Sequence, residues 1–91
     1  MQRHTLIQRI AQAADLTSEP VPGQPLIEIV SDRSVLIENH RGVTQYSTQI
    51  ITVRVKYGCI SVKGCALELS RMTKEQLIIT GKIDAVELCR R

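Results

Sequence analysis

Two periods divide the chain. In residues 1–16, Leu6, Ile7, Ile10 and Ala14 recur at helical spacing, while Arg3, Gln8, Arg9 and Gln12 take the other face, which predicts an N-terminal amphipathic helix. Its apolar stripe is thin, and a helix this short is marginal unless it docks. All three prolines fall in residues 17–25, Thr-Ser-Glu-Pro-Val-Pro-Gly-Gln-Pro. Proline fixes its own φ and has no N–H to donate, so this segment reads as an extended linker.

From Leu26 the period drops to two, and residues 26–89 read as a β domain. Ile51, Val53 and Val55 alternate with Thr52, Arg54 and Lys56. Ile60 and Val62 alternate with Ser61 and Lys63, and Leu77 and Ile79 with Ile78 and Thr80. Shorter runs sit at Ile27–Ile29, Val35–Ile37, Val43–Ser47, Leu67–Leu69 and Val86–Leu88. β-Branched residues dominate, as a half-buried pleated surface prefers. Turn signals separate the runs at Ser31-Asp32-Arg33-Ser34, Asn39-His40-Arg41-Gly42, Tyr57-Gly58, Lys63-Gly64 and Met72-Thr73-Lys74-Glu75. Asn39–Gly42 reads as a four-residue hairpin loop. With no helical segment between runs, parallel βαβ units are excluded. The expected fold is mainly β: an antiparallel meander sheet or small sandwich of short strands with one N-terminal α-helix. Weak self-similarity between Val35-Leu-Ile-Glu, Ile60-Ser-Val-Lys-Gly and Leu77-Ile-Ile-Thr-Gly leaves a β-solenoid-like stack as the alternative.

Composition sharpens the picture. The chain has 91 residues, so it is one small domain, and 43% are apolar, enough for a core that must be built almost without aromatics, since the chain has two Tyr, no Trp and no Phe. Such a domain gains from a partner or a second copy, so a homo-oligomer is an open expectation. The net charge is +3, without a long basic run, and stacking aromatics are scarce, so no nucleic-acid partner is expected. No segment resembles a signal peptide or a membrane helix, so the expected location is the cytoplasm.

Candidate chemistry is sparse. His4 and His40 are the only histidines, and both read as solvent-exposed. Cys59, Cys65 and Cys89 lack metal-ligand spacing and read as small hydrophobes or surface thiols, with Cys59 in the outward phase. Carboxylates are scattered singly and the glycines are single turn residues, so no catalytic site, cofactor or metal is predicted. Arg54, Lys56, Lys63 and Lys82 form a candidate basic strip, for an acidic partner or membrane surface, or simply for protecting sheet edges. Tyr46 either covers the sheet or anchors an interface.

Three segments add a resemblance. Val35-Leu-Ile-Glu-Asn-His-Arg-Gly-Val, Tyr46-Ser, and Leu77-Ile-Ile-Thr-Gly-Lys-Ile-Asp-Ala-Val-Glu-Leu resemble the YabP/YqfC family of sporulation proteins, over about Leu26 to Leu88. The helix-then-proline start is similar to the YqfC branch. The three cysteines are not part of the family pattern. The resemblance implies a role in endospore formation and no known catalysis. For the YqfC branch it implies action beside a sporulation membrane protein of the YqfD type, peripheral to a membrane in the sporulating cell. The YabP branch is associated with later spore maturation. Within the motif, Asn39, His40, Arg41 and Gly42 either shape a turn or contact a partner. The expected function is therefore that of a non-enzymatic β-rich adaptor. Its candidate contacts are Leu6, Ile7 and Ile10 of the helix, Asn39–Gly42, Tyr46, Arg54 and Lys56. The alternative is a basic-face binder of membrane surface or nucleic acid.

Overall fold

A computed structural model describes residues 23–90. The predicted helix of residues 1–16 and most of the proline linker lie outside these residues. Within them the chain has no helix and forms one antiparallel sheet. Its strands are β1 (Leu26–Val30), β2 (Ser34–Glu38), β3 (Val43–Tyr46), β4 (Ile50–Val55), β5 (Gly58–Met72) and β6 (Gln76–Arg90), in the order β1-β2-β6-β5-β4-β3. The mainly β, antiparallel expectation holds. The solenoid alternative does not, because every pair of neighbouring strands is antiparallel.

β5 and β6 are 15 residues each, which short-strand patterning did not anticipate. The expected turn at Lys63-Gly64 lies inside β5. There the register shifts at Lys63/Gly64 and again between Cys65 and Glu68. The reason is phase. Ile60 and Val62 face inward at even positions and Leu67 at an odd one, so an extra residue must be absorbed between them. Glycine makes this bend feasible. A Cβ on Gly64 would collide with the Lys82 carbonyl oxygen. On Gly81, at φ 137°, it would come 2.6 Å from the Ala66 carbonyl oxygen.

The bend divides the sheet into two wings. One holds β3, β4, the first half of β5 and the last half of β6. The other holds β1, β2, the first half of β6 and the last half of β5. Backbone hydrogen bonds fasten each outer hairpin to the bend. Gly64 and Leu67 donate to the carbonyls of Gln49 and Thr48, while Gly81 and Ile83 donate to those of Arg33 and Asp32. The wings close on a single aliphatic core. Val35, Ile37, Leu77 and Ile79 come from one wing, and Ile51, Val53, Val55, Ile60 and Val62 from the other, with Leu67 near the bend. Register aligns them: Val35 opposes Ile79, Ile37 opposes Leu77, Ile51 opposes Val62 and Val53 opposes Ile60. Branched side chains on adjacent pleats fill such a core without aromatics.

Asn39–Gly42 is not the hairpin loop expected of it. β2 pairs with β1 and β6, and β3 with β4, so the loop carries the chain from one wing to the other. The turn between β3 and β4 begins at Ser47, a position the sequence placed within a strand. Its Oγ accepts from Gln49 N at 3.2 Å and Ile50 N at 3.0 Å, a local bond that turns the chain.

Candidate functional site

The crossover loop is where most of the predicted contact residues meet. Asn39 ends β2 with φ 63°, a conformation Asn tolerates better than most residues. Its backbone N–H donates to the Glu75 carbonyl at 2.6 Å and its Nδ2 to the Gln24 carbonyl at 2.9 Å. The side chain thus pins the segment entering β1, and the backbone pins the turn between β5 and β6. Arg41 N donates to the Arg54 carbonyl, and Arg54 N donates to the Gly42 carbonyl, which ties the loop to the end of β4.

His40 is 8% exposed, contrary to the expectation of a solvated histidine. Its partner, Thr73, is 33 residues away in sequence, so no local pattern reveals it. The Gly42 N–H donates to Nδ1 at 3.1 Å, which assigns Nδ1 as acceptor. Nε2 then carries the ring proton and donates to the Thr73 carbonyl at 2.8 Å. Both ring nitrogens are used inside the molecule. Asn39 and His40 therefore shape the loop, while Arg41 and the adjoining Arg54 and Lys56 stay exposed. Beside them, Glu38, Asn39, Arg71, Thr73, Glu75 and Gln76 line an open polar cleft of about 270 Å³. The sequence gives no sign that Arg71 or Thr73 belongs here, because the β5–β6 turn reaches the loop only through tertiary folding.

The basic strip is interrupted. Lys63 donates to Glu87 Oε1 at 3.0 Å across β5 and β6, with both side chains about half exposed. Lys82 opposes Cys65 at the bend, away from Arg54 and Lys56, which sit at the loop end. Tyr46 is 55% exposed, and its hydroxyl oxygen accepts from Leu69 N at 3.5 Å, so it reaches from β3 to the part of β5 beyond the bend. Leu6, Ile7 and Ile10 lie outside the described residues.

The other exposed large hydrophobics were not singled out by sequence. Ile29, Met72 and Leu88 are 53%, 53% and 56% exposed. Alternation marks Ile29 and Leu88 as core-facing, whereas Met72 reads as part of a turn and shares the core side only through its pairing with Leu77; the position of their strands at the borders of the wings leaves all three open. Among the described residues no three His, Cys, Asp or Glu side chains group to hold a metal, and no helix is long and apolar enough to cross a membrane.

Comparison with known proteins agrees with the motif. Over 77 residues the chain is 25% identical to the uncharacterized protein YqfC of Bacillus subtilis (strain 168), covering 85% of this chain and 83% of that protein. No solved structure matches. The YabP family model matches residues 23–91, the whole β domain with its crossover loop and bent hairpin, and the chain belongs to the YabP family.

Proposed function

We propose that this protein is a non-enzymatic sporulation protein, a β-rich adaptor that binds a sporulation membrane protein of the YqfD type during endospore development. The observation that carries the proposal is where the exposed apolar side chains sit. Ile29 pairs with Val35, Tyr46 with Ile51, Met72 with Leu77 and Leu88 with Ile60. Directly opposed residues of an antiparallel pair share a face, so all four point to the core side of the sheet. The inner surface is thus wider than the described residues cover. An extended segment of another chain suits such a border: it gains main-chain hydrogen bonds along the edge and seats apolar side chains beside the core. Exposed Arg41, Arg54 and Lys56 at the loop end favour a position beside an anionic leaflet.

The test is affinity capture from sporulating cells with three forms: the intact chain, a chain lacking residues 1–16, and an Ile29→Glu/Leu88→Glu double variant. The adaptor function requires that the intact chain enrich a sporulation membrane protein of the YqfD type and that the double variant lose it. Loss on deleting residues 1–16 would assign part of the contact to that segment. Enrichment of no such protein by the intact chain overturns the proposal. Enrichment of only a second copy of the chain makes the border a self-association surface instead. Binding to anionic vesicles or DNA that weakens with salt would favour the basic-face alternative.

A further inference from the structure

Outside the crossover loop, the two ends of the long hairpin bring two thiols together. Cys59, near the start of β5, lies directly opposite Cys89, near the end of β6. Their neighbours Ile60 and Leu88 face the core side, so both cysteines lie on the outer face of the sheet. Arg54 of β4 opposes Cys59 from the other side, making a row Arg54-Cys59-Cys89 across three strands. Both cysteines are half-buried, and with Thr52, Arg54 and Arg90 they line an open pocket of about 260 Å³. Arg90 lies over the Tyr57 ring, 5.6 Å from its centroid. All three cysteines are present as thiols.

We propose that Cys59 and Cys89 form a redox-sensitive dithiol that a small anionic disulfide converts to a cross-strand disulfide. Residues directly opposed in an antiparallel pair have Cα atoms roughly 4.5–5.5 Å apart, inside the span a disulfide bridges. One thiolate attacks the small disulfide and forms a mixed disulfide, releasing one small thiol. The second cysteine attacks the protein sulfur of that mixed disulfide and releases the other. In sum, two S–H bonds and one S–S bond break. One Sγ–Sγ bond forms, and two electrons and two protons leave the protein in two small thiols. Arg54, on the same face as both cysteines, suits the pocket to a reagent carrying carboxylates. Cβ atoms of opposed residues stand roughly 4.5–5.5 Å apart, wider than the usual disulfide spacing, so the bridge forms under tension and is readily reduced. Cys65 supplies an internal contrast. It is exposed and opposes Lys82, so a mixed disulfide there has no facing thiol to resolve it.

The test incubates the full chain with oxidised glutathione and reads intact mass and cysteine-containing peptides. A Cys65→Ser variant should lose two hydrogens, retain no glutathione, yield a peptide linking positions 59 and 89, and return to the thiol mass under excess reduced glutathione. The unaltered chain should give the same link plus one glutathione on Cys65. Cys65→Ser/Cys89→Ser should keep one glutathione on Cys59. Glutathione retained on both Cys59 and Cys89 of the Cys65→Ser variant, a disulfide-linked dimer, or reaction only after unfolding in urea would each overturn the proposal.

Discussion

The chain passes between the two wings at the bend of the β5–β6 hairpin and again at the loop 39–42, and the two crossings are built differently. At the bend the joint is backbone. Gly64 and Gly81 bring strands closer than any side chain allows, and main-chain N–H groups of both strands bond to the outer turns. At the loop, side-chain bonds are added to the backbone ones. Asn39 and His40 reach segments 15 and 33 residues away. A crossing made of backbone is intolerant of any added atom. One that also relies on side chains loses, on their removal, only the particular bond they made.

Substitutions at four positions test this difference, in falling order of effect. Gly81→Val should be the most damaging, because the new side chain meets the Ala66 carbonyl in a conformation branched residues rarely adopt. A loss of about 3 kcal/mol or more in urea unfolding is expected, a large part of the stability of a small domain. His40→Ala should cost about 1–3 kcal/mol by orphaning the Gly42 N–H and Thr73 carbonyl, and amide exchange should quicken at the loop and the β5–β6 turn before the bend. If exchange quickens equally at both crossings, the two joints are one cooperative unit and the contrast fails. Asn39→Ala should cost about 1–2 kcal/mol, whereas Asn39→Gly, which keeps the backbone conformation but loses the bond to Gln24, should cost less. Equal losses for the two would mean that the side-chain bond, not the backbone, decides this position. Lys63→Ala should change stability by less than about 1 kcal/mol, since its ion pair with Glu87 is half exposed, and the difference should shrink in high salt.

What the sequence revealed follows the range of the interactions involved. Alternation from Leu26 onward placed the apolar faces of β1, β2, β4 and both halves of the long hairpin, because side-chain phase is local. The bend was visible only as an interruption. Gly64 and Gly81 looked like turn residues, yet the odd spacing from Val62 to Leu67 is the mark of a bulge that lets one strand continue. A turn at Asn39–Gly42 was legible for the same local reason, but not the crossing it makes or the bond from Asn39 to Gln24. The burial of His40 was not, because its acceptor lies on a distant turn. Nor was the pairing of β2 with β6, which sets which wing each strand joins and therefore which inward-facing residues at the borders stay open. Cys59 and Cys89, 30 positions apart, become opposed only through the register of the hairpin.

The strand order also governs how the molecule is made. β1 and β2 are synthesised first, but their other neighbour, residues 76–80, comes last. β3, β4 and the start of β5 pair with sequence neighbours and can fold as the chain leaves the ribosome. The β1–β2 hairpin also pairs locally, but it emerges with Val35 and Ile37 uncovered and waits for nearly the whole domain before β6 arrives beside β2. Translation speed and chaperone supply over that interval therefore bear on its yield more than on that of a domain whose strands pair in the order they are made.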